Sequence, residues 1–270
     1  MARRKQRGRN IDGIVVLDKP LGGSSNHALQ SVKRLFDANK AGHTGSLDPL
    51  ATGVLPLCLG EATKVSQFLL DSDKAYRARI KLGERTDTAD SEGEVIAKVE
   101  NFTLDEAAVR TALRGFEGEI EQVPPMYSAL KQDGQPLYKL ARQGKTVERK
   151  ARTITVYAIE LTDFDADAKE IEIEVDCSKG TYIRTIADDL GQILGCGGHI
   201  IALRRLRAGA FSIEESVTLE ALAAAKEAGG FDAIDAYLMP MDKAVDVLPA
   251  VQLPSFTAKF LKNGQPVQVR

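Results

Sequence analysis

The chain has 270 residues, 43% of them hydrophobic, and its 36 basic and 38 acidic side chains leave a formal net charge of −2. That length suits one large domain, or one domain and a small second unit, and the apolar content argues against wholesale disorder. Three cysteines without C-x-x-C spacing argue against a disulfide framework, three histidines without ligand spacing argue against a metal site, and no 18-residue apolar run suggests a membrane span, so a soluble cytoplasmic protein is expected.

Five of the first ten residues are basic (Arg3, Arg4, Lys5, Arg7 and Arg9), which suggests a flexible arm. Ile14 to Leu17 predicts a buried strand, stopped by Asp18-Lys19-Pro20 and two glycines. Lys19 is open to two readings, a phosphate contact or a solvated lysine. Ser24-Ser25-Asn26 offers an N-cap for a helix through Phe36, with Leu29, Val32, Leu35 and Phe36 at helical spacing. Gly42 to Leu55 then reads G-H-T-G-S-L-D-P-L-A-T-G-V-L. Its glycines free the backbone for positive φ, and Pro49 pushes Asp48 toward an extended conformation. Asp-Pro is also the ordinary start of a helical turn, the commoner role for that dipeptide. His43, Thr44 and Ser46 gather polar side chains around the Asp48 carboxylate, a candidate site on a loop.

Val54 to Leu59 predicts a second buried strand, and Glu61 to Leu70 a helix with Val65, Phe68 and Leu69 inward. Lys64 on that helix is a candidate phosphate contact. Lys74 to Leu82 alternates as a half-buried strand with Tyr76, Ala78, Ile80 and Leu82 on one face, so Tyr76 is either core or site. Arg85 to Gly93 is a polar loop whose acids have no evident role. Leu104 to Phe116 predicts an amphipathic helix. From Lys131 to Arg152, seven basic residues face only Asp133 and Glu148, in a stretch entered through Pro124-Pro125 that reads as an excursion from the core. Segregated charge of this kind gives a basic face on a nearly neutral molecule, and Lys131, Lys139, Arg142 and Lys145 are candidates for phosphate contacts.

Thr153 to Leu161 and Ile171 to Cys177 predict successive strands without a helix between them, hence an antiparallel sheet and an α+β fold. In C-S-K-G-T-Y-I-R-T-I-A-D-D-L-G, Thr181 can cap a helix running to about Leu194. Arg184 then falls in the first turn, where a cation opposes the helix dipole by a few tenths to ~1 kcal/mol. Its partner is either Asp188, one turn on, or Asp48. His199 to Leu206 predicts a further strand with Arg204, Arg205 and Arg207 close by, and Thr218 to Ala228 a scaffold helix. A boundary falls near Leu248-Pro249.

Together, the Gly42–Leu55 string, the D-K-P-x-G and S-S-N elements, K-A-Y at residues 74–76, the Thr/Asp loop and the Cys177–Gly191 string resemble the TruB-type tRNA pseudouridine synthases. The resemblance covers about residues 11–247. It implies a pseudouridine-synthase-like α+β fold with a mixed, mainly antiparallel sheet flanked by helices. It also implies a catalytic domain over 1–250 with an RNA-gripping insertion at about 124–152. Residues 251–270 resemble the start of a PUA-like RNA-binding module, too short to close a barrel. The implied reaction is isomerisation of uridine 55 in the tRNA T loop, without cofactor or metal. Asp48 is the implied nucleophile and Arg184 its partner. Tyr76 and Tyr182 would lie against the flipped base, Leu203 at the pocket wall, and His43 in the space the base vacates, unless His43 only stabilises its loop. The expected partner is the T stem-loop of tRNA, met by a monomer. Two other readings use the same basic face: a non-catalytic tRNA-folding factor, and a relative that works with a guide RNA.

Overall fold

The computed structural model describes residues 8–132 and 134–268. Of the expected basic arm only residues 8–10 fall among these, and Arg9 there pairs with Asp235; Arg3, Arg4, Lys5, Arg7 and also Asp133 lie outside the described residues.

In chain order the elements are β1 (Gly13–Lys19), α1 (Ser25–Leu35), β2 (Ala41–His43), β3 (Ala51–Leu59), α2 (Ser66–Leu70), β4 (Lys74–Leu82), β5 (Glu84–Thr86) and β6 (Val95–Lys98). There follow α3 (Glu106–Arg114), β7 (Gly118–Gln122), β8 (Lys131–Gln132), β9 (Gln135–Pro136), α4 (Leu137–Ala141), β10 (Arg152–Asp165) and β11 (Glu170–Cys177). The last are α5 (Ile183–Ile193), β12 (Gly198–Ala208), β13 (Phe211–Ser212), α6 (Leu219–Asp235) and α7 (Ser255–Lys262). A nine-stranded sheet runs β1-β3-β12-β4-β11-β10-β7, with β2 on β3 and β13 on β12. Its neighbours are antiparallel except β3 and β12, which run parallel over Ala51–Gly53 and Leu203–Arg205.

Period-two alternation decides which face each strand residue serves. Ala78, Ile80 and Leu82 of β4 pack under α3 and α5, while Val15, Leu17, Leu55 and Leu57 pack under α1 and α6 on the same face. On the opposite face Ile14, Val16, Val54 and Cys58 are covered by α2 and neighbouring turns, and Arg77, Arg79 and Lys81 of β4 are left among acidic partners. Each fully buried Leu or Ile here contributes about 1.5–3 kcal/mol. Tyr76 and Leu203 pack against both cores of the first face, so they mark the seam between them.

Several local expectations are revised. Ser24 caps α1 as its sequence suggests, accepting from the His27 amide. Thr181 does not cap α5; its hydroxyl donates to the Ser178 carbonyl and Tyr182 occupies the cap position. The helix over Glu61–Leu70 is split into a 3-10 turn at Gly60–Lys64 and the short α2, and the change of register leaves Phe68 exposed while Leu69 is buried. No helix follows Asp48: Pro49 and Leu50 form a turn closed by the Ala51 amide on the Asp48 carbonyl, and β3 starts at once.

Candidate active site

The Asp48 loop crosses the seam between the two cores, and three contacts from neighbouring elements fix its backbone. Ser25, in the first turn of α1, donates its hydroxyl to the Leu47 carbonyl at 3.1 Å and accepts from the Leu47 amide at 2.7 Å. The Gly22 amide donates to the Pro49 carbonyl. The Lys19 ammonium, at the end of β1, donates to the carbonyls of Ala51 at 2.8 Å and Pro20 at 3.0 Å, with Gly22 and Pro49 at 3.4 and 3.5 Å. Lys19 is only 1% exposed. It therefore cannot face RNA phosphate from the surface, and the solvated reading fails with it; its charge is satisfied inside by peptide oxygens. Gly53 (φ +98°) is required where β3 meets β12, since a Cβ there would lie 2.2 Å from the Arg205 carbonyl oxygen.

With its backbone fixed, Asp48 presents a carboxylate that is 45% exposed, 2.9 Å from Nη2 of Arg184. Arg184 itself is 5% exposed. Its Nη2 also donates to the Tyr127 carbonyl at 2.8 Å and its Nη1 to the Thr88 carbonyl at 3.1 Å, with the buried Asp90 carboxylate at 3.5 Å. Asp188, the alternative partner, is instead held by Arg85 at 2.6 Å. The first-turn arginine is thus stabilised by two carboxylates and two carbonyls from other segments, which outweigh the local dipole. Burial pushes the Asp48 carboxyl above its ordinary value; Arg184 opposes this and Asp90 adds to it.

The carboxylate opens onto a cavity of about 810 Å³ whose walls include His43, Asp90, Tyr127, Tyr138, Arg142 and Arg184. His43 reaches it from β2; its Nδ1 is buried without a hydrogen-bond partner among the described residues, so that atom does not brace the loop. The ring is held toward its neutral form by burial and by the Arg205 charge. The Tyr182 backbone is clasped in both directions by the Gln122 side chain, and burial is the main influence raising its phenol. Tyr76 and Leu203 lie half-buried at the seam between the two cores, and burial, more than the Asp48 charge, raises the Tyr76 phenol.

Of the phosphate candidates, Arg142 lies at the cavity, its guanidinium 5.7 Å from the Tyr138 ring centre, and Lys131 is exposed on the β8–β9 hairpin. Lys139 and Lys145 are exposed in the same insertion, and Lys64 is exposed and paired with Glu61. The residue missed from sequence is Asp90. Thr88 donates to its carboxylate at 2.6 Å and the Glu92 amide does so at 3.1 Å, inside the Thr/Asp loop whose acids had no evident role. The available signal was the spacing T-D-T-A-D-S-E-G: a Cβ on Gly93 would lie 2.2 Å from the Thr88 hydroxyl, so the loop must turn tightly about its acids.

Comparison with known proteins agrees with this geometry. The N-terminal domain of TruB family pseudouridylate synthases matches residues 33–183, and the C-terminal domain of tRNA pseudouridylate synthase B matches residues 184–246. The tRNA pseudouridine synthase B of Yersinia pestis strain Pestoides F is 56% identical over 275 residues, covering 100% of this chain and 84% of the relative. That of Sodalis glossinidius is 58% identical over 272 residues, covering 100% and 86%. Among solved structures, a Cbf5-Nop10-Gar1 complex is similar with a TM-score of 0.73 at 33% identity, over 93% of this chain and 67% of that one. An H/ACA RNP bound to a substrate RNA containing 2'-deoxyuridine is similar with a TM-score of 0.73 at 28% identity, over 98% and 74%. On the extent of these matches, the chain belongs to the TruB family of pseudouridylate synthases.

Proposed function

We propose that the chain converts a uridine of RNA to pseudouridine, and that its substrate is uridine 55 in the T stem-loop of tRNA. One observation carries the reading: a half-exposed carboxylate, Asp48, held by a buried guanidinium at the mouth of a cavity large enough for a nucleotide. In the isomerisation the N1–C1′ bond breaks, a C5–C1′ bond forms, the C5 proton leaves and N1 gains one. A carboxylate that adds covalently, to the base or to C1′, holds the intermediate while the ring turns. Arg184 keeps Asp48 ionised against burial. Extruding the base costs a few kcal/mol, and stacking on Tyr76 and Tyr182 offsets roughly 1–3 kcal/mol per ring. His43 is suited to the vacated place in the T loop, being a cavity-wall ring with an unengaged nitrogen. Lys131, Arg142 and Lys64 remain phosphate candidates.

The relatives, tRNA pseudouridine synthases B, favour tRNA over a guided RNA, because identity to them is far higher than to the H/ACA structures. Residues 1–250 form the catalytic domain in this reading. The segment after 250 is the beginning of a further RNA-binding module, which the exposed Phe256 and Phe260 of α7 support.

Tritium release from tRNA transcript carrying 5-tritiated uridine tests the reaction. The isolated parent chain should release tritium and Asp48→Asn should not, while melting like the parent. Release by Asp48→Asn at the parent rate would remove the nucleophile; no release by the parent without added RNA or protein would favour the guided reading.

A further inference from the structure

Arg204 and Arg207 of β12 each hold a carboxylate, Asp18 at 2.7 Å and Asp176 at 2.6 Å. Arg205 between them holds none among the described residues, although it is the most deeply placed of the three at 1% exposure. Its Nε donates to the Val54 carbonyl at 2.6 Å, and its Nη2 is buried without a partner. Its surroundings are cationic: Lys74 from β4, whose ammonium burial and Arg205 push down to about 8, and His43 from β2, which Arg205 also pushes down. A guanidinium buried among cations with an unused donor is costly, so it must serve something next to it.

That neighbour is Tyr76. Arg205 and Tyr76 are direct partners in the antiparallel β12–β4 register, so their side chains leave the same face of the sheet, the one beneath the Asp48 loop. The loop passes over the guanidinium at Gly45 (φ +88°), where a Cβ would be 3.8 Å from Nη1. Burial is the largest influence on the Tyr76 hydroxyl and raises its proton affinity; among the charged groups Arg205 lowers it, and Cys177 of β11 and Asp48 raise it. Arginine has no acceptor. Facing it, the phenol oxygen can only accept, and the phenol's own proton is turned the other way.

Resting on the isomerase reading above, we propose that Arg205 is a positioning residue, which donates to the Tyr76 hydroxyl and so holds the phenol proton toward a carbonyl oxygen of the bound uracil. When the N1–C1′ bond breaks, its electron pair leaves with the base. The uracil is anionic until C5 bonds to C1′, and the polarised phenol donates a hydrogen bond to that charge throughout, keeping its proton. Tyr76 thereby adds an oxyanion donor to its stacking face.

The test is a pH titration of 13C-labelled tyrosine by NMR in the free protein, with Tyr76→Phe identifying the signal, together with single-turnover tritium release. Arg205→Met should move the Tyr76 titration to higher pH and slow release about tenfold, and Tyr76→Phe should slow it on the order of 100-fold, the scale of one lost oxyanion donor. The double variant should be no slower than Tyr76→Phe. Should Arg205→Met fail to fold, Arg205→Gln, which keeps an N–H but no charge, carries the same two readouts. A Tyr76 signal that titrates alike in the parent and the Arg205 variants overturns the proposal, as does a double variant slowed by the product of the single effects. The titration decides the pairing even if the chain releases no tritium.

Discussion

The two faces of β4 treat charge in opposite ways. On the open face Arg77 meets Glu174 at 2.6 Å and Arg79 meets Asp163 at 2.9 Å, with Glu172 and Glu170 within 4 Å of the same arginines. These ions are compensated pair by pair and remain in contact with water. On the other face the cations outnumber their partners: Lys19 is held by carbonyls alone, Arg205 by one carbonyl, and Arg184 is shared between Asp48 and Asp90. Solvent screens the first set, so each pair there is worth little. The second set is shielded from water, and there the arrangement decides proton affinities. Density of ion pairs therefore points away from the site, and incomplete pairing points to it.

The largest effect should come from removing the shared cation. Arg184→Met should slow tritium release roughly 10³-fold, as for loss of a preorganised charge. It should also destabilise the fold by about 3–5 kcal/mol in urea melts, because Asp90 would stay buried without its partner. Asp90→Asn sharpens the contrast through pH. Asp48 lies above its ordinary value near 3.8, and Asp90 contributes to that rise, so the acid limb of kcat/KM should move to lower pH in Asp90→Asn. The linkage sign agrees with the Asp48→Asn test: a raised carboxyl favours folding most below its ordinary value, and that increment is lost as pH rises through the raised one. Near neutrality Asp48→Asn should thus melt no lower than the parent. Lys19→Met should cost about 1–3 kcal/mol in urea melts by leaving buried carbonyls unpaired. The salt dependence of its RNA affinity should match the parent's, since no phosphate contact is lost. Arg77→Gln, on the open face, should change stability by about 0.5 kcal/mol or less and leave turnover unchanged.

Most of the frame was legible in the order of residues. The alternation in Lys74–Leu82 and the Ser24 cap produced β4 and α1 close to their observed bounds, because both signals are local. Arg184 could be singled out since a cation in a first turn contradicts the helix dipole, and the structure joins it to Asp48. Lys19 misled because a lysine after a strand is ordinarily solvated; only the return of the chain at Pro49–Ala51 surrounds it with carbonyls. Phe68 misled because α2 is too short to keep the helical period. The partners of Asp90 and Arg205 could not be read, being decided by contacts across the fold: Asp90 meets a residue 94 positions on in the chain, and Arg205 faces Tyr76 only through strand pairing.

The parallel pairing of β3 with β12 spans three residues on each strand, yet it joins the half of the sheet that carries Asp48 to the half whose helix carries Arg184. Side chains rivet this short joint: Thr52 donates to the Leu203 carbonyl, Arg204 reaches Asp18 and Thr52, and Arg205 reaches Val54. A fluctuation that parts the joint would draw the acid from its guanidinium while both halves stay folded. Hydrogen exchange at Thr52 and Arg204 would then report how often the enzyme disarms itself, a quantity distinct from how often it unfolds.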